Sequence, residues 1–211
     1  MIPEAAITLD EIETDALTEL INIGVSKAAS SLRVMVGREI LLSVPDVAIL
    51  PRSQAARAIG EQGGMRLIAV RQDFEGEFSG HVMLIFPENN SLELVRAVTD
   101  GTLPLEDIVA LEQEALAETG NIILNNCLAT IANILRRTLR MSLPYIFRGD
   151  GAELFELSGA ADPDDMVLVI YINFTVSTRD ITGHIAMLMD LPALRVLKEL
   201  LHDLVERTAV S

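Results

Sequence analysis

Glu19-Leu20-Ile21-Asn22-Ile23-Gly24 returns 99 positions later as Glu118-Thr119-Gly120-Asn121-Ile122, and the rest of the chain orders itself around this repeat. In each copy Asn stands 3 residues after Glu, and a Pro stands 23 residues after the Asn: Pro45 in the first copy, Pro144 in the second. A polar pair at fixed spacing with a fixed downstream breaker implies a duplicated fold with two equivalent sites.

Working outward, Thr8-Leu-Asp-Glu11 has a capping-box pattern, which predicts a helix from there to about Leu32. Leu17, Leu20, Ile21, Gly24 and Ala28 fall near a 3.6-residue period and form its buried stripe. Gly24, Ala28 and Ala29 are small and let another helix approach closely. A strand follows over Glu39–Val47, broken by Pro45, then a short helix over Gln54–Gly60. Met65–Arg71 and Glu77–Phe86 read as a hairpin turning at Asp73–Gly76, and Ser91–Thr99 closes the half as a helix.

The second half repeats this order. A helical region runs from Leu105 to about Arg140, with Leu116, Ile123, Leu124, Leu128, Ile131 and Leu135 as its apolar face. Pro144 lies in the next strand region. Met166–Phe174 and Asp180–Met189 form the second hairpin, and Leu194–Val205 the closing helix. Phe78-Ser-Gly-His-Val-Met-Leu-Ile-Phe86 parallels Ile181-Thr-Gly-His-Ile-Ala-Met-Leu-Met189, pairing Gly80 and His81 with Gly183 and His184 at an offset of 103. The second half therefore holds about four extra residues (103 − 99), expected in the acidic loop Ala160–Asp165. Sheet glycines mark a bulge or a close backbone contact. Asp100–Pro104 has the turn chemistry of a linker. The expectation is one domain, residues 1–211, made of two repeats of about 8–100 and 105–206.

The net charge of −15 disfavours nucleic acid and anionic membrane, both of which call for clustered Lys and Arg. Half the residues are hydrophobic, mostly aliphatic, with no Trp. The single cysteine, Cys127, excludes an intrachain disulfide and reads as a small buried hydrophobe. No signal peptide is visible and apolar runs such as Val167–Ile172 are too short to span a bilayer, so a cytoplasmic protein is expected. His81 and His184 read as metal ligands or as ordinary strand-end histidines, and no Cys or carboxylate constellation accompanies them at ligand spacing. His202 is expected to face solvent.

Asp15, Glu19 and Asn22 lie at i, i+4 and i+7, so they share one helix face; Glu114, Glu118 and Asn121 do the same. The buried stripes lie elsewhere, so each trio is an outward polar row. Glu supplies a charged acceptor; Asn supplies a donor and an acceptor in one non-titrating amide. That is a poor general base but a good holder of a water. No nucleophile–base pair, phosphate-binding loop or metal cluster is present in the pattern. A site built from a carboxylate and an amide must borrow the rest of its chemistry from a partner. The alternative is an ordinary solvated helix face, with Pro45 and Pro144 merely shaping matching strands.

Two Glu-x-x-Asn helices, each with Pro 23 residues after the Asn, closely resemble the CheC group of the CheC–CheX–FliY chemotaxis phosphatases, over about residues 8 to 206. The resemblance implies an α/β fold in which two long pseudo-symmetric helices pack on one side of a continuous, mostly antiparallel sheet. It implies hydrolysis of the aspartyl phosphate of a CheY-type response regulator. Asn22 and Asn121 would orient the attacking water, and Glu19 and Glu118 would dock on the regulator's lysine. The protein would need no cofactor of its own, since Mg²⁺ belongs to the regulator. The family has Asp or Ser 4 residues before the Glu, which Asp15 satisfies and Glu114 does not. CheD, a receptor deamidase, is a partner of some members. A non-catalytic regulator-binding or flagellar-switch-like module, or an adapter that sequesters the phosphorylated regulator, would share the fold.

Overall fold

Asp10, not Thr8, starts the first helix. In the computed structural model, which describes residues 9–37, 39–60, 66–98, 104–156, 166–176, 179–189 and 191–209, α1 spans Glu11–Val36. The Asp10 carboxylate accepts from the Glu13 amide at 2.8 Å, and Glu13 accepts from the Asp10 amide at 2.9 Å. This reciprocal pair satisfies two helix-end donors. The expected cap Thr8 lies outside the described residues. The helix passes Leu32 and stops at Gly37, whose φ of 70° closes it in the left-handed conformation.

β1 (Ile40–Pro51) runs through Pro45 rather than breaking there. Against β6 (Met166–Val176), Ser43 faces Asn173 and Asp46 faces Tyr171. Two residues, Val44 and Pro45, therefore oppose the single Ile172, a bulge that absorbs a proline without a ladder donor. α2 (Arg52–Gly60) follows, then β2 (Leu67–Gly76) and β3 (Gly80–Pro87). Their turn is at residues 77–79, later than the expected Asp73–Gly76. Phe74 and Phe78 are buried edge-to-face with ring centroids 5.9 Å apart, which keeps β2 in the sheet through that stretch. A 3-10 turn at Glu88–Asn90 leads into α3 (Ser91–Val98).

α4 (Leu105–Ile134) ends before the expected Arg140. Arg136 takes a left-handed φ of 58°, and the Arg137 amide donates to the Ala132 carbonyl at 2.7 Å, closing the helix end. β4 (Leu139–Met141) and β5 (Tyr145–Gly149) flank Pro144, so here the proline does interrupt the strand. α5 (Gly151–Glu156) was not expected, although Asp150 and Glu153 cap it with the same reciprocal bonds, at 2.8 and 2.9 Å, that start α1. β7 (Arg179–Leu188) and α6 (Leu191–Ala209) complete the chain.

The strands form one sheet in the order β1-β6-β7-β3-β2-β4, with β5 also on β2, antiparallel throughout. Side chains alternate between its faces. Ile68, Val70, Phe74, Leu84, Leu168 and Ile170 join the stripes of α1 and α4, with α3 and α6, in the larger core. Ala69, Met83, Ile85, Val169 and Ala186 meet α2 and α5 on the other face.

A local two-fold runs through the middle of the sheet. In the β3–β7 ladder His81 faces Leu188 and Ile85 faces His184, while Met83 faces Ala186 at the centre. Shifting each residue by 103 maps this ladder onto itself. His81 pairs with Asp73 on β2, and its counterpart His184 pairs with Tyr171 on β6. The two members of the pair are 8 residues apart in the first hairpin (81 − 73) and 13 in the second (184 − 171). The extra residues thus enter the β6–β7 hairpin, not the segment Ala160–Asp165, which itself lies outside the described residues, as do 100–103 of the linker.

Candidate functional site

Both polar rows lie where helical spacing puts them. Asp15 and Glu19 are exposed on α1 and Asn22 is half-buried; Glu114 and Glu118 are exposed on α4 and Asn121 is half-buried. An open groove of about 610 Å³ runs along the first row, with Glu19, Asn22, Ser26, Lys27 and Ser30 of α1 facing Asn126 of α4. Its floor depends on Gly24. A Cβ there would stand 2.8 Å from the Cys127 Cα and 3.2 Å from the Asn126 carbonyl oxygen, so only glycine lets the two backbones approach this closely. Cys127 is buried at that crossing, and burial pushes its thiol up to about 12, which leaves it an inert packing group.

The second row has different surroundings. A Cβ on Gly120 would fall 2.5 Å from Val70 Cγ1, so α4 presses directly on β2. Asn121 thereby reaches the sheet. Gln72, fully buried on β2, donates from Nε2 to Asn121 Oδ1 at 3.1 Å and to the Ser142 carbonyl at 2.9 Å. Asn125, one turn further on α4, donates to the same Oδ1 at 2.6 Å. A backbone carbonyl only accepts, so the Ser142 contact fixes which end of Gln72 is nitrogen. Gln72 Oε1 is left buried without a hydrogen bond. Among the described residues the Asn22 side chain makes no hydrogen bond.

The two-fold explains the contrast. With Asp73 matched to Tyr171, Gln72 matches Ile170; with Asn121 matched to Asn22, Gly120 matches Ile21 and Asn125 matches Ser26. Where the second half has Gly120 and Gln72, the first has Ile21 and Ile170, so the first site has no amide beneath it to hold Asn22. The two prolines differ as well. Pro45 sits in the β1 bulge, its side chain outside the described residues. Pro144 is half-buried in the β4–β5 connection, two residues after the carbonyl that holds Gln72.

Sequence reasoning missed Gln72 and Asn125. Asn125 was visible as an amide at i+4 from Asn121. Gln72 was visible only as the polar member of a helix-facing series, 68, 70, 72 and 74, once the strand's faces were known.

The two strand histidines, His81 and His184, belong to the opposite sheet face. His81 Nδ1 lies 2.7 Å from Asp73 Oδ1, which also contacts Arg71 Nε at 3.2 Å. Burial pushes the Asp73 carboxyl up, but the His81 hydrogen bond and the Arg71 charge outweigh it and leave it below its ordinary value. His184 is buried edge-on against Tyr171, ring centroids 5.0 Å apart, and burial lowers its pKa from 6.5. His202 is exposed but not alone: its ring reaches Glu206 at 3.4 Å and Glu13 at 3.8 Å. Among the described residues no three His, Cys, Asp or Glu side chains group in a way that could hold a metal, and no helix is long and apolar enough to cross a membrane.

The CheC-like family model matches residues 12–49, a stretch holding Glu19, Asn22 and Pro45. The flagellar motor switch phosphatase FliY of Bacillus subtilis (strain 168) is 23% identical over 205 residues, covering 96% of this chain and 52% of FliY, so the chain spans about half the length of that relative. The CheY-P phosphatase CheC of the same bacterium is 24% identical over 141 residues, 65% of this chain and 67% of CheC. The crystal structure of Thermotoga maritima FliY superposes with a TM-score of 0.74 at 16% identity, over 93% of this chain and 99% of that one. The FliM middle domain from Vibrio alginolyticus gives 0.62 at 13% identity, over 87% and 99%. The chain is similar to CheC and FliY in sequence, and its helices on a curled antiparallel sheet are the fold of FliY and of the FliM middle domain.

Proposed function

We propose that this chain is a phosphatase for the aspartyl phosphate of a CheY-type response regulator. The observation that carries the reading is the Glu–Asn row presented twice, exposed carboxylate beside half-buried amide, on the outer faces of two helices. Relatives named as CheY-P phosphatase and as switch phosphatase support it.

Glu19 and Glu118 dock on a cation of the regulator, and the Asn amides hold a water in line with the phosphoryl group. The water oxygen bonds to phosphorus as the bond from phosphorus to the aspartyl oxygen breaks. The carboxylate leaves with the electron pair, and the water's protons are shared between the released phosphate and solvent. Such transfers depend on positioning and charge stabilisation, and Mg²⁺ and lysine belong to the regulator. CheD remains a candidate partner on the resemblance alone.

A second reading is a non-catalytic regulator-binding or switch-like module, favoured by the shared architecture of the FliM middle domain. Decay of phosphate on a purified Mg²⁺-loaded CheY-type regulator separates the two. Sub-stoichiometric protein should accelerate decay over many turnovers, and the Asn22→Ala/Asn121→Ala double variant should fold, still bind, and lose most of the acceleration. Equal phosphate lifetimes with wild type and double variant would leave the binding module standing. The first site is expected to contribute at least as much as the second.

A further inference from the structure

We propose that Gln72 is a positioning residue that turns the Asn121 carbonyl inward, so that the second site offers its partner only an N–H donor while the first keeps a free amide. This rests on the phosphatase reading above. An amide oxygen has two lone pairs, and Gln72 and Asn125 occupy both on Asn121. What faces outward is Nδ2, which donates to a phosphoryl or carboxylate oxygen but cannot accept a proton from water. Asn22, on the side where Ile170 takes the place of Gln72, carries no side-chain hydrogen bond among the described residues and opens on the groove. It can donate and accept together, as orienting a water for in-line attack requires.

Three features hold the arrangement. The Ser142 carbonyl pins Gln72 Nε2; Gly120 lets α4 reach β2; burial of Gln72 excludes water from the bond. The two sites are therefore chemically unequal: the second is biased toward binding an anionic oxygen, the first toward turnover.

The test uses the full chain carrying Asn22→Ala, so that turnover comes from the second site, with and without Gln72→Ile. That substitution copies the residue of the first site and removes a buried acceptor without a partner; Gln72→Met is the second variant should the branched side chain pack poorly. The first readout is the Asn121 side-chain amide resonances, identified by their loss in Asn121→Ala. They should move toward the free-asparagine position when Gln72 is replaced. The second readout is steady-state phosphate release from the Mg²⁺-loaded regulator. Freeing the carbonyl should raise kcat about fivefold, the worth of one ordinary hydrogen bond, and raise KM. A role in packing alone would not raise kcat. Unmoved amide resonances, or a kcat that stays level or falls, would overturn the proposal. If wild-type protein fails to speed phosphate decay, the phosphatase reading falls, and the resonances alone decide whether Gln72 holds Asn121.

Discussion

α1 and α4 carry the same outward row on different foundations. The two helices meet each other where Gly24 lies over the backbone of Cys127, but α1 rests on the sheet at β1, whereas α4 presses on β2 with Gly120 over the side chain of Val70. Duplication kept what faces solvent and let what lies beneath diverge. Burial requires volume and satisfied polar groups: Gln72 fills about the volume of the matching Ile170 and its Nε2 finds two acceptors, while its Oε1 stays without a partner, a cost the Ile does not carry.

Large substitutions at the two glycines should bring the contrast out most strongly. Gly24→Ile drives a side chain into the backbone of α4 and should cost about 3 kcal/mol, with no single neighbouring truncation restoring it. Gly120→Ile meets first the Val70 side chain, should cost about 2 kcal/mol, and should recover part of that loss when combined with Val70→Ala. Urea denaturation measures both; equal rescue of the two by neighbouring truncations would break the distinction between a helix–helix and a helix–sheet contact.

A smaller effect concerns two carboxylates 99 positions apart, Glu13, buried on α1, and Glu112, half-buried on α4. Glu112 accepts from Arg148 at 2.7 Å and from Ser91 at 2.5 Å, whereas Glu13 faces Lys198 at 3.5 Å. Glu112→Gln should cost about 2 kcal/mol, by weakening a charge-assisted bond, and Glu13→Gln about 1 kcal/mol, since a Gln still accepts from Asp10. Similar losses would mean that the charges, not the hydrogen bonds, carry both contacts.

The mildest effect separates the hairpins by pH. His184 has a folded pKa below its ordinary 6.5, so its neutral form is favoured on folding and stability falls as pH drops through 6.5 toward the folded value. Asp73 is also depressed, but from 3.8, so its contribution is present above that value and is lost only in stronger acid. Thermal melts of His184→Gln should show less loss between pH 7 and 5, and melts of Asp73→Asn less loss below pH 4. Exchange of these windows would reverse the assignment.

Much of this was legible in the residues. The long helices, their buried stripes, both hairpins and the close approach at Gly24 follow from periodicity and residue size. The misplaced features had local rivals. Asp10 is a cap with the same i, i+3 partner spacing as Thr8. The stretch Asp73–Gly76 has turn composition, but Phe74 and Phe78 gain more by burial than the turn gains by its residues. Pro45 and Pro144 look alike in sequence and behave differently, since a bulge depends on the register of the partner strand. The rows Asp15–Glu19–Asn22 and Glu114–Glu118–Asn121 were legible because helical spacing alone aligns them.

The sequence by itself determined the duplication, the two helices and the outward amides, since these depend on contacts within a few residues. Only the tertiary structure decided that Asn121 is held while Asn22 makes no side-chain hydrogen bond among the described residues. That outcome rests on Gln72, 49 residues away from Asn121, on a carbonyl 70 residues from Gln72, and on whether a glycine lets helix meet sheet. Long-range register brings those groups together, and no local pattern encodes it.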